Sequence, residues 1–297
     1  MKVSGFTFIR NAIKYDFPIV EAIKSIISLC DDFYVTVGNS EDDTLALIQS
    51  IDPKIKIQET IWDDNLREGG RVYAIETDKA LKMIPEDTDW CFYIQADEVV
   101  HEKYHNTILE AMQQWKDHPE VDGLLFNYLH FFGSYDYITP SPNWYRKEIR
   151  IIKNDPSFYS YRDAQGFRKG ENKKLRVKPI NAWVYHYSLV KHPKIQYQKR
   201  NNAFKSFYEN IPSDKQQYKT PDHNQHYTDE FDYDSIDILE RFEGTHPEVI
   251  RERIANVNWH FEPDLSINRM SLKNRFRKWM EKHFGYIPWE YRNYKII

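Results

Sequence analysis

The sequence predicts an α/β fold, a mostly parallel mixed sheet flanked by helices. Three observations carry that expectation. Short apolar runs alternate with helical patterns through the first hundred residues, strands so separated need crossover connections, and WCFYI (90–94) is apolar throughout, as a strand covered on both faces must be. VSGFTFI (3–9) reads as the first strand, and FPIVEAIKSIISL (17–29) as a helix with Ile19, Ile23, Ile26 and Ile27 on one face and Asp16 as its cap. FYVTV (33–37) is a second strand, GNSEDDT has turn chemistry, TLALIQSI is helical, and KIKIQ (54–58) alternates as a third strand. NLREGGRVYAIETDKALKMI is a loop opening a helix. After WCFYI comes a helix around 101–117, with Asp97 and Glu98 at the changeover.

The order then changes. Segments 121–132, 147–153 and 181–190 read as strands separated by long, aromatic, Pro-containing loops, an α+β extension of the same sheet. From about 194 the chain is polar, with DSIDILERF and HPEVIRERIANV as helices, and there is no internal repeat or Gly/Ser linker.

With 41 Lys and Arg against 45 Asp and Glu, no overall basic field argues for nucleic acid as a partner. Cys30 and Cys91 sit in apolar runs, which excludes a disulfide framework or a Cys-rich zinc site. The N-terminus lacks the pattern of a signal peptide and no segment has the apolar length of a membrane span, so a cytoplasmic protein is expected. Aromatics make up 15% of the chain, which suits either stacking on sugar rings or bases, or an aromatic-rich core. In 271–297, Lys273, Arg275, Arg277, Lys278 and Lys282 interleave with Leu272, Phe276, Trp279, Met280 and Phe284. Such a segment could lie at an anionic membrane surface, or dock on the domain with a solvated basic face.

In open α/β sheets ligands bind beyond the carboxyl ends of the strands, where Asp97 and Glu98 fall. Two carboxylates there can hold a hard divalent cation that leaves positions for phosphate; acids at a helix start are also favoured by its dipole alone. VGNSEDDT (37–44) lets a ligand approach the backbone and offers acids to a base or ribose, or is a plain turn with Asp42 or Asp43 as N-cap. Gly69, Gly70 and Arg71 open a helix, a natural phosphate site. There is no P-loop and no GxGxxG.

The order of Arg10-Asn11 after the first strand, VTVGNSEDDT, the EGGR helix and a strand closing in QADE resembles the GT-A fold of family 2 glycosyltransferases, over roughly residues 1–190. The resemblance implies a nucleotide-sugar-binding and catalytic domain at 1–193 and a mainly helical extension at 194–297, facing an acceptor or a membrane. It implies a UDP- or GDP-type donor contacted by Arg10, Asn11, Asn39, Ser40, Asp42, Gly70, Arg71, Gln95, Ala96 and Asp97. Asp97 matches the last acid of the D-x-D motif and Gln95 replaces the first; Val37 and Gly38 replace the acids of the base pocket. Mn2+ or Mg2+ is implied, held by Asp97, Glu98 and a late histidine, His186, with His192 a weaker match. As base for an inverting transfer, Glu148 is preferred slightly over Asp163, and either could be a structural ion pair. Tyr128, Phe131, Trp144 and Tyr145 are expected to form an acceptor platform for a glycan or lipid-linked acceptor in cell-surface polysaccharide synthesis. The competing readings are a sugar-phosphate nucleotidyltransferase and a noncatalytic carbohydrate-binding protein.

Overall fold

The computed structural model describes residues 1–66, 69–207, 230–233 and 236–297, the side chains of 203–207 apart. Its first half is the expected α/β alternation: β1 (Val3–Ile9), α1 (Ile19–Ile26), β2 (Asp32–Gly38), α2 (Thr44–Gln49), β3 (Ile55–Thr60), α3 (Arg71–Lys82) and β4 (Trp90–Tyr93). β1 pairs in parallel with β2 on one side and β4 on the other, and β2 pairs in parallel with β3.

The second half adds β5 (Glu98–Val100), α4 (His105–Trp115), β6 (Gly123–Phe132), β7 (Ser134–Ile138) and β8 (Lys147–Lys153). A small antiparallel sheet of β9 (Phe158–Tyr161), β10 (Gly166–Lys169) and β11 (Lys173–Lys174) follows, then the long β12 (Arg176–Leu189). α5 (Pro193–Phe207), β13 (Glu240–Arg241), α6 (Arg251–Ala255), α7 (Leu272–Phe284) and β14 (Lys295–Ile296) complete the described elements. Antiparallel β8 bridges β4 to β6, and β12 runs parallel to β6, so the sheet is mixed and mostly parallel.

Side-chain alternation along these strands sorts the core into two layers. Phe33, Val35, Val37, Trp90 and Phe92 join α1, α2 and α4 in one; Phe6, Tyr34, Cys91 and Tyr93 join α3, β8 and the small sheet in the other. Covering both faces is what makes β4 fully apolar and buried at all four positions.

Four details differ from the expectation. The acids do not pass from strand directly into helix: β5 intervenes, because Glu98, Val99 and Val100 pair antiparallel with His186, Tyr185 and Val184. Asp16 is not a cap; it has φ 47° and its carboxylate pairs with Arg253, while the N-cap of α1 is Pro18. The helix expected over DSIDILERF is absent from its described part: Glu240 and Arg241 pair with Ile138 and Tyr137 at the sheet edge, and Asp234 and Ser235 lie outside the described residues. Tyr128 and Phe131 belong to β6 and are buried, so they form no platform. No described helix is long and apolar enough to cross a membrane.

Candidate functional site

A cleft of about 880 Å3 opens beyond the carboxyl ends of β1 and β4. Arg10 and Asn11 line it after β1, Gln95, Ala96 and Asp97 after β4, His186 and Ser188 from β12, and Lys199 and Arg200 from α5. Trp62, Tyr73, Trp144 and Asp163 close its walls.

Asp97 is buried at its floor, its loop pinned by Tyr187 N–H donating to the Asp97 carbonyl at 2.8 Å. Burial alone would raise its pKa, but Lys199, His186, Lys191 and a bond from Ser188 together hold it at about 2. Lys199 Nζ stands 3.5 Å from Oδ2, and His186 Nε2 3.7 Å from Oδ1.

The hydrogen bonds around His186 assign its tautomer. His130 Nε2 lies 2.6 Å from the Tyr145 carbonyl, an acceptor, so Nε2 carries the proton. Burial pushes His130 well below the ordinary histidine pKa and, as the leading cause, lowers His186 also, which favours the neutral ring in both. His130 Nδ1 is then a bare acceptor, and His186 Nδ1, 2.9 Å away, donates to it. His186 Nε2 is left with its lone pair facing an ionised carboxylate. Lys199 already stands beside Asp97, and a carbonyl–imidazole relay behind an imidazole is also how proteins orient a metal-ligating histidine.

Glu98 has the opposite environment. It is 0% exposed, and Arg150, at 1%, donates Nε to Oε2 at 2.7 Å and Nη2 to Oε1 at 2.6 Å. The Tyr128 hydroxyl (2.8 Å) and Gln95 N–H (3.1 Å) complete four donors. Its oxygens are thus committed to Arg150, away from the cleft. Gln95 donates its side-chain amide to the Ala164 carbonyl at 3.0 Å, tying the loop after β4 to the loop that carries Asp163.

Asp163 faces the cleft between Arg162 and Ala164, which have φ values of 58° and 61°. Non-glycine residues in the left-handed region, here one on each side of Asp163, are costly and cluster at functional sites. Glu148 does not reach the cleft: it is buried, accepts from Gln165 at 3.2 Å, and burial lifts its pKa to about 8.

The residues after β2 mainly join loops. Asn11 N–H donates to Ser40 Oγ at 3.0 Å, Glu41 N–H to Asn11 Oδ1 at 2.7 Å, Lys14 N–H to Asp42 Oδ2 at 2.7 Å, and Trp62 N–H to Asn39 Oδ1 at 3.2 Å. Gly38 is glycine because Trp62 lies over it: an added Cβ would sit 2.3 Å from the indole Nε1. Trp62 packs with Phe8 and Tyr73, and Arg10 lies 5.6 Å above the indole ring. Gly70 is the left-handed N-cap of α3, and Arg71 is exposed outside the cleft lining. Lys199, Trp62 and His130 are site residues that sequence reasoning missed; only His130, a polar residue inside an apolar strand run, carried a signal.

No protein-family model matches this chain, and no curated protein does. Among solved structures it is similar to S. aureus TarS, at 17% identity over 71% of this chain and 41% of that one, with a TM-score of 0.39. It is similar to S. aureus TarS 1–349 in complex with UDP-GlcNAc, at 17% identity over 67% and 64% of the two chains, TM-score 0.37. A third is glucosyl-3-phosphoglycerate synthase from Mycobacterium tuberculosis in complex with Mn2+, UDP and phosphoglyceric acid, at 16% identity over 43% of each chain, TM-score 0.29. The chain spans less than half the length of the first of these structures. Likenesses of this size establish no family.

Proposed function

We propose that this chain is a glycosyltransferase that moves a sugar from a UDP- or GDP-type nucleotide-sugar to a hydroxyl of a glycan or lipid-linked acceptor, with inversion. The observation that carries the reading is the ionised, buried Asp97 facing the lone pair of His186 beside Lys199. Among the described residues no cluster of three His, Cys, Asp or Glu side chains forms a complete cage. A site with two protein donors fits a cation whose other ligands come from a substrate diphosphate. Asp97 and His186 would hold Mn2+ or Mg2+, which when bound neutralises charge on a departing nucleoside diphosphate.

The chain's own residues do the rest. Lys199, 3.5 Å from Asp97, turns its amine to the cleft for the phosphates, and Arg10 with Trp62 and Tyr73 supplies a stacking wall for a base. Asp163, one of the carboxylates lining the cleft, is the group assigned in this reading to take the acceptor's proton. The acceptor oxygen bonds to the anomeric carbon as the bond from that carbon to the diphosphate breaks, and the nucleoside diphosphate leaves with the electron pair.

Calorimetric titration of UDP-, GDP- and CDP-sugars with and without Mn2+, followed by donor-hydrolysis assays, tests this. Asp97→Asn should retain the fold and lose turnover. Absence of nucleotide binding, or consumption of a sugar 1-phosphate with a nucleoside triphosphate, would overturn it.

A further inference from the structure

Helix α7 is docked inside out. Leu272, Phe276 and Trp279 recur at i, i+4 and i+7, and this stripe faces solvent, 83%, 46% and 50% exposed. The opposite, polar face holds the helix to the domain. Glu281 accepts from Arg146 at 2.6 Å, Lys278 donates to Glu240 at 2.7 Å, and Asn274 donates to Asn143 at 3.0 Å. A helix placed for stability alone turns its apolar stripe inward. The outward patch continues into Phe284 and Trp289, 66% and 71% exposed, and Phe276 and Trp279 stack at 6.2 Å.

Charge names the occupant. From 271 to 297 there are seven Lys or Arg against two Glu, although the whole chain carries −4. Both acids are paired within the chain: Glu281 with Arg146 and Glu290 with Arg292. Exposed Lys273 and Lys282 flank the stripe. An isologous contact between two copies through this stripe would set like charges together. Trp, Phe and Leu in the centre with Lys at the margins is the composition of a helix lying in the headgroup region of an anionic bilayer.

We propose that the outer face of α7 docks on an anionic lipid membrane. The inference does not rest on the catalytic reading. It bears on it, because Asn143 and Arg146, which carry the helix, flank Trp144 of the cleft wall.

The test is flotation of the full chain with phosphatidylcholine vesicles and with vesicles that also contain phosphatidylglycerol. Binding to the anionic vesicles is expected, weakening as salt shortens the screening length. The variant L272S/F276S/W279S, altered only at exposed positions, should keep the melting temperature and bind at least about tenfold more weakly, since each lost apolar contact is of the order that makes a tenfold change. Both native cysteines are buried. A fluorophore on Leu272→Cys therefore reports the helix alone, and its emission should shift to the blue with anionic vesicles. No binding, binding unchanged in the triple variant, or vesicle-independent self-association that the triple variant abolishes would each refute the proposal, the last in favour of a second copy of this chain.

Discussion

Replacing Arg150 by Met removes the partner of Glu98 while keeping most of the volume. The structure sets the size of the effect. Both side chains are essentially without solvent, and Arg150 supplies two of the four donors on the carboxylate. The charge left behind keeps only the Tyr128 hydroxyl and the Gln95 N–H. Breaking a buried pair in this way costs about 3–5 kcal/mol, a large part of the roughly 5–15 kcal/mol that holds a domain folded. Urea denaturation at pH 7 should show that loss as a lower midpoint with unchanged slope. The double variant E98Q/R150M, which removes both charges, should recover most of it, because the desolvation cost disappears with the pair. A loss below about 1 kcal/mol for Arg150→Met, or a double variant as unstable as the single one, would show that the pair is not the closed unit described here.

Glu148 predicts a pH dependence. Its folded pKa of about 8 lies above the ordinary 4.5, so the fold binds the extra proton. Its contribution is complete below pH 4.5 and is lost as pH rises through 8, with an upper limit of about 5 kcal/mol. Glu148→Gln should flatten the stability profile between those limits, measured by urea midpoints at pH 5 and pH 8; a profile as steep as the parent's would count against it. Gly38→Ala should displace Trp62 and cost about 1–3 kcal/mol, read by thermal melts, with weaker nucleotide binding by calorimetry. Asp163→Asn should leave donor binding unchanged and lower acceptor turnover by about 10²–10⁴-fold; unchanged turnover would remove Asp163 as base.

How far the sequence was legible follows from what each pattern depends on. β1 and β8 match their expected limits because their apolar pattern is set locally, by a face that must be covered. The strands β9, β10, β11, β13 and β14 are two to four residues long, and β11, β13 and β14 are exposed, so they exist through a partner strand and leave no period of their own. Asp97 and Glu98 show the same limit inside the site. In sequence they are one acidic pair, but the chain turns between them. Glu98 enters a strand opposite His186 and is closed off by Arg150, whereas Asp97 stays in the loop facing the cleft. The partner that completes the electrostatics of Asp97 is Lys199, on a helix with no apolar period to mark which face would turn toward the sheet. His186 could be picked out as an imidazole in an apolar strand. Its tautomer could not, because that depends on the register that sets His186 against His130 and on the carbonyl of Tyr145 beyond it. Residue types that can do chemistry were therefore visible one at a time. The charges and lone pairs they present are properties of strand pairing, and only the fold fixes those.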